Sequence, residues 1–174
     1  MPDKAVHLLV VEGFADWEPA HAIAELRRHG GYRVESVGLT SEPVRSMGGL
    51  TIVPSMTIAS VDPSNVAVFI LPGGDRWEQA PVEPELEQLL ERLDAGGVPI
   101  AAICGATVAI SRLGLLRGRR HTSNGLAYLR SHVPGTPRLR TTCRHPPFAI
   151  GSSSPRAAWA MWSSHVSYSR SLAC

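Results

Sequence analysis

The chain has 174 residues, 44% of them hydrophobic, which suffices for one ordinary globular domain with a closed core and not for two. Its formal net charge is +2 and its pI about 8.6, and its Lys and Arg do not gather on a helix with interleaved aromatics, which argues against a nucleic-acid partner. No segment has the length of a membrane span, the first residues lack a signal peptide's pattern, and the three widely spaced cysteines suggest neither a disulfide framework nor a paired metal motif. A reducing cytoplasm is the expected location.

The continuous apolar run from Val6 to Val11 predicts a central strand covered on both faces. From Trp17 to His29 the residues Trp17, Ala20, Ile23, Ala24 and Leu26 recur at helical spacing, and Gly30 and Gly31 supply the stop. Arg33 to Leu39 predicts a second strand. Val44 with the run Leu50 to Val53 predicts a hairpin around Gly48 and Gly49, and Val66 to Leu71 another buried strand, ending in Pro72-Gly73-Gly74. Pro81 to Leu93 predicts a helix that opens with Pro and carboxylates near its positive end and closes at Gly96-Gly97. Val98 to Ile103 is the next strand, with a helix after it. This alternation specifies an α/β fold: a doubly wound, mostly parallel sheet with helices on both faces and ligands at the carboxyl ends of its strands.

Three groups with chemical potential fall at those ends: Asp16-Trp17-Glu18, Gly73-Gly74-Asp75 and Cys104-Gly105-Ala106. Cys104, between an apolar strand and a helix, occupies the kind of sharp turn that exposes a nucleophile and aims a helix N-terminus at it. A free cysteine is more often a small buried hydrophobe, but the strand-to-helix position argues against that here. The thiolate is the reactive form. Gly105, with Gly73 or Gly74, can offer backbone N–H groups to an oxyanion formed by attack on a carbonyl. Glu18, in the first turn of its helix, is either a partner for the macrodipole or, when protonated, a donor that lowers the thiol pKa; the second reading is favoured. His121 is the best-placed imidazole base, against the alternative of a surface histidine beside Arg119 and Arg120. No phosphate-binding glycine motif is present, and His132, Cys143 and His145 do not have metal-site spacing, so neither cofactor nor metal is expected.

The segments GFADWEPA, ILPGGD, AAICGAT and GRRHTSNG, in that order and spacing, resemble the DJ-1/PfpI family of the class I glutamine-amidotransferase-like superfamily. The resemblance covers residues 1–135. It implies a flavodoxin-like fold, a nucleophile elbow at Cys104, a neighbouring glutamate at Glu18, an assisting histidine at His121, an oxyanion hole at Gly74 and Gly105, and a homodimer. Where the family's protease-like branch has a histidine after the cysteine, this chain has Gly105, which argues against proteolysis. The implied activity is cysteine-dependent, amidase-, glyoxalase- or deglycase-like chemistry on a small carbonyl or amide compound. The alternatives are a non-catalytic redox-sensing stress or chaperone protein using the same cysteine, or an inactive truncated homologue.

Residues 136–174 depart from that pattern. No Asp or Glu follows Asp94, and from Thr136 the chain shows neither strand nor helix periodicity where the family closes with a strand and a helix. When permitted codons for Ala149 to Ser164 are read from their third base, they give DRQLITASGLGDVEF, which resembles the family's terminal strand and loop and restores acidic residues. The expectation is a reading frame that slips near Gly135 to Arg140, leaving Cys143 and Cys174 as products of the wrong frame and the sheet short of a strand and a covering helix.

Overall fold

The computed structural model describes residues 3–119, 121 and 123–134, and the backbone of 148–151. In chain order the elements are β1 (Ala5–Leu9), α1 (Trp17–Arg28), β2 (Val34–Gly38), β3 (Val44–Arg45), β4 (Thr51–Ile52), β5 (Met56–Thr57), β6 (Val66–Leu71), α2 (Arg76–Gln79), α3 (Pro84–Ala95), β7 (Ile100–Ile103), α4 (Ala106–Arg112), α5 (Leu126–His132) and β8 (Phe148–Gly151). The main sheet runs β5-β2-β1-β6-β7-β8, and β3 pairs antiparallel with β4 as the predicted hairpin. Every pairing in the main sheet is parallel except that of β8 with β7. This is the mostly parallel, flavodoxin-like α/β arrangement expected from the alternation of strand and helix patterns.

The core explains why the central strands read as unbroken apolar runs. All five residues of β1 are buried, and β6 buries all but Val68. The helix α3 places Leu86, Leu89, Leu90 and Leu93 on one stripe, and all four are fully buried. Burying one such side chain is worth roughly 1.5–3 kcal/mol. That helix begins at Pro84 rather than Pro81 because Glu83 is extended and Pro84 takes the first helical position, where a missing N–H costs nothing.

Several elements escape the sequence pattern. α2 has four residues and α5 seven, too few for a helical stripe to stand out, and β5 has two. The segment expected to lack any strand contains β8, whose register pairs Ile100 with Gly151 and Ile103 with Phe148. Four residues are too short for an alternation to be legible. Apart from β8, the atypical segment 136–174, with Cys143 and Cys174, lies outside the described residues. Among the described residues no helix is long and apolar enough to cross a membrane.

The consequence for function is positional. β1, β6 and β7 are adjacent and parallel, so the loops that follow them emerge at one edge of the sheet, where α/β folds bind ligands.

Candidate active site

β7 ends at Ile103 and α4 begins at Ala106, so the chain reverses within two residues. Cys104 accommodates this with φ +50°, the only positive φ at a non-glycine among the described residues. Holding a cysteine in the left-handed region costs about 1–2 kcal/mol, which surrounding bonds must offset. Two do so at its carbonyl. The Thr107 N–H donates to Cys104 O at 3.1 Å and the Thr107 hydroxyl at 2.6 Å. With its proton so committed, Thr107 Oγ1 accepts from the Ser123 hydroxyl at 2.7 Å, which ties the segment before α5 to the turn.

Glu18 reaches the same turn from the first helical turn of α1. Its Oε2 accepts a 2.6 Å hydrogen bond from the Gly73 N–H, while Gly73 O accepts from the Ala15 N–H at 2.9 Å. These bonds stitch the loop after β1 to the loop after β6. Gly73 fills the space between carboxylate and cysteine: a Cβ there would lie 2.7 and 2.8 Å from the Glu18 oxygens and 2.9 Å from Cys104 Cβ. A side chain there would force the Glu18 carboxylate or the Cys104 side chain to move. A Cβ at Gly105 would stand 3.1 Å from Gly74 O and 3.4 Å from Trp77, so that position is tightly packed as well.

Burial pushes the Cys104 thiol pKa up, and the Glu18 carboxylate adds to the rise both as a like charge and as a hydrogen-bond partner of the protonated thiol. The N–H groups of Asn124 and Gly105 oppose it by donating to the sulfur. The expected lowering belonged to a protonated Glu18; as a carboxylate Glu18 raises the thiol pKa instead. Helix α4, only seven residues long, does not outweigh burial of the half-buried sulfur.

The opposite wall was not foreseen. Asn124 Nδ2 stands 3.2 Å from Cys104 Sγ. The Tyr128 hydroxyl donates to Glu78 Oε1 at 2.5 Å, and Glu78 Oε2 lies 3.4 Å from His132 Nε2. His132 Nδ1 is 2.9 Å from the Tyr128 carbonyl, and the two rings meet at a tilt of 49° with centroids 4.6 Å apart. Glu78 belongs to α2, whose end is fixed by Arg112: its guanidinium donates to Trp77 O and Ala80 O at 2.9 Å each and to Glu78 O at 3.4 Å. In the sequence Asn124 reads only as a turn residue before glycine, and nothing there marks it as a partner of Cys104.

The structure thus brings together Cys104, Glu18, Gly73, Gly74 and Gly105. His121 is buried rather than at the surface, and beyond burial the thiol pKa is shifted by Asn124, Glu18 and Gly105.

Comparison with known proteins places this arrangement. The DJ-1/PfpI family model matches residues 4–133. A Bacillus subtilis protein named as an uncharacterized protease, YoaZ, is 35% identical over 142 residues, covering 77% of this chain and 67% of that protein. A deglycase of Thermococcus kodakarensis is 27% identical over 118 residues, covering 68% of this chain and 70% of its own length. The crystal structure of the DJ-1 superfamily protein Atu0886 from Agrobacterium tumefaciens superposes with a TM-score of 0.68 at 31% identity, covering 74% of this chain and 68% of that one. The chain spans about two thirds of the length of each. With the model matched over most of its length and the cysteine, glutamate and glycines assembled at the sheet edge, this chain belongs to the DJ-1/PfpI family.

Proposed function

We propose that the chain is a cysteine-dependent hydrolase or lyase acting on a small carbonyl or amide compound, with Cys104 as nucleophile at a nucleophile elbow. One observation carries this reading: a strained, half-buried thiol stands between the Glu18 carboxylate on one side and the Asn124 amide on the other. As substrate enters, the thiol proton passes to Glu18, the sulfur forms a bond to the carbonyl carbon, and the carbonyl π electrons move to oxygen. The N–H groups of Gly74 and Gly105 receive that oxyanion. With a carbonyl substrate Glu18 returns the proton to the oxyanion, giving a hemithioacetal. With an amide the oxyanion collapses and the C–N bond breaks as Glu18 protonates the leaving amine; water then cleaves the thioester to release the acid and restore the thiol. A thiol held protonated until a base acts on it suits turnover better than peroxide sensing, which needs a standing thiolate. In this scheme Glu18, adjacent to the sulfur, takes the role of proton acceptor that the family resemblance gives to His121. The relatives named protease and deglycase are consistent with attack on an amide or a carbonyl.

The test is turnover of small 2-oxoaldehydes and amides by the purified chain beside Cys104→Ser. Consumption abolished by the substitution supports the reading; equal consumption by both, or none with reversible oxidation of Cys104 at low peroxide, would overturn it in favour of a sensor. A homodimer is proposed with it. Trp17, Met47, Leu50 and Val53 are exposed along the start of α1 and the β3–β4 hairpin, an apolar surface suited to a second copy. Sedimentation at a monomer's mass at micromolar concentration would exclude it.

We also propose that the coding frame slips near Gly135 to Arg140. The family match ends at residue 133, immediately before, and the shifted reading of residues 149–164 resembles the family's ending. Resequencing the coding DNA tests this, and a single frame with no slip in the raw reads would sink an error in the sequence.

A further inference from the structure

Glu18 can take the thiol proton only if the first turn of α1 holds it against Gly73, beside Cys104, and Asp16 stands at the start of that turn. Resting on the reading of Glu18 as proton acceptor for Cys104, we infer that Asp16 is a positioning residue. Its bond to Gly48 braces the start of α1 against the β3–β4 hairpin and so aims Glu18.

The loop after β1 is bonded on two sides. Toward the hairpin, the Gly13 N–H donates to Arg45 O at 2.8 Å and the Arg45 N–H to Glu12 Oε2 at 2.9 Å. The Met47 N–H donates to Phe14 O at 2.9 Å and the Gly48 N–H to Asp16 Oδ1 at 3.0 Å. Toward the cysteine, Ala15 and Glu18 both meet Gly73. The hairpin is also closed by bonds of its own. The Ser46 N–H donates to Leu50 O at 2.8 Å, the Leu50 N–H to Ser46 Oγ at 3.0 Å, and the Gly49 N–H to Ser46 O at 3.0 Å. It is a stiff support, and of its four bonds to the loop that of Asp16 lies nearest Glu18 in the chain.

Two features set the Asp16–Gly48 contact apart from an ordinary surface bond. Asp16 is the N-cap of α1, where a carboxylate usually accepts from the helix's own N–H groups; it makes no such bond, and its oxygen turns to the hairpin instead. Gly48 is the matching half. Its φ is not positive, so the backbone does not demand glycine, yet a Cβ there would lie 2.4 and 2.9 Å from the two Asp16 oxygens. Glycine permits the close approach. Trp17, between Asp16 and Glu18, is 61% exposed and lends the turn little packing, and the burial of α1 begins at Pro19. The charged and titratable groups around this joint are Glu12 and Asp16 on the loop and Arg45 on the hairpin; those at the sulfur are Glu18 and Tyr128. Asp16 works through Glu18. Without its brace, Glu18 withdraws from the sulfur, and the thiol pKa falls as it does when a like charge is removed.

The experiment is the pH dependence of Cys104 alkylation by iodoacetamide, in a Cys143→Ser, Cys174→Ser background. It compares the parent, Asp16→Ala, Asp16→Asn, Gly48→Ala, Glu18→Gln, and Asp16→Ala combined with Glu18→Gln. Asp16→Ala is expected to lower the apparent thiol pKa by about half a unit to one unit, which quickens alkylation about three- to tenfold at a fixed pH below it. Asp16→Asn keeps an oxygen that accepts from Gly48 and should restore the parent profile. The double variant should match Glu18→Gln alone. Gly48→Ala pushes the Asp16 carboxylate away from the other side of the contact; it should shift the profile as Asp16→Ala does, and it keeps the test open should Asp16→Ala fail to fold. An unchanged profile in the folded Asp16→Ala or Gly48→Ala variant overturns the inference. So does Asp16→Asn behaving as Asp16→Ala, or an equal shift with and without Glu18, either of which would mean that the Asp16 charge acts on the sulfur directly. Alkylation needs no substrate, so a chain without turnover would refute the catalytic reading and leave this result standing.

Discussion

On one side of Cys104 stand Glu18 and Gly73, and on the other Asn124 and Tyr128. Burial raises the thiol pKa; on the first wall Glu18 adds to the rise, and on the second Asn124 opposes it. The walls are also built differently. Glu18 is held by a backbone N–H and packed against a glycine where a Cβ would press on it, with parts from α1 and the loop after β6. Asn124 meets the sulfur through its side-chain amide, and the polar pair of Tyr128 and Glu78 joins α5 to α2. One wall is fixed by close packing and the other by polar contacts, so substitutions should act on them in different ways.

The sharpest contrast comes from Glu18→Gln. Removing the like charge lowers the Cys104 pKa, so more thiolate is present at any pH below it and alkylation quickens. Turnover nevertheless falls, by about 10²–10⁴-fold, because the thiol proton has lost its acceptor when substrate arrives. Alkylation and turnover moving together would erase the distinction between the walls. Gly73→Ala tests the packed wall directly. Its Cβ would press on both Glu18 oxygens and on Cys104 Cβ, costing about 1–3 kcal/mol in a thermal melt and about 10²-fold in turnover. Asn124→Ala leaves the melt almost unchanged and raises the thiol pKa by about one unit, visible as a displaced alkylation profile. The smallest effect on the sulfur belongs to the foundation that the walls share. Thr107→Val removes the acceptor of the Ser123 hydroxyl and one bond to the Cys104 carbonyl, lowering stability by about 1–3 kcal/mol with little change in the thiol profile. A large profile change there would show that the turn itself, and not its flanks, tunes the sulfur.

The two walls were also unequally legible. The first could be read because its residues sit at ends of long patterned elements. The apolar run to Ile103 fixes Cys104 at a turn, the stripe of α1 fixes Glu18 in a first turn, and Pro72-Gly73-Gly74 closes a buried strand. The second wall hangs on α2 and α5, which are too short for a period, and Asn124 before a glycine resembles any turn. Direction was harder still. A protonated Glu18 was expected to lower the thiol pKa, and whether it lowers or raises it depends on whether Glu18 is a carboxyl or a carboxylate, which no spacing encodes. His121 attracted attention because imidazoles make good bases, while the residue facing the sulfur lies three positions further on. The strand β8 was missed for want of length.

Arg112 adds a consequence of its own. It lies at the end of the helix that begins beside Cys104, and its guanidinium fastens α2, which carries Glu78. Nucleophile and Glu78 therefore ride on one frame. The apolar residues Trp17, Met47, Leu50 and Val53 lie on α1 and the hairpin, outside that frame. Substitutions on that apolar face can therefore alter what the protein meets without moving the turn that carries the sulfur.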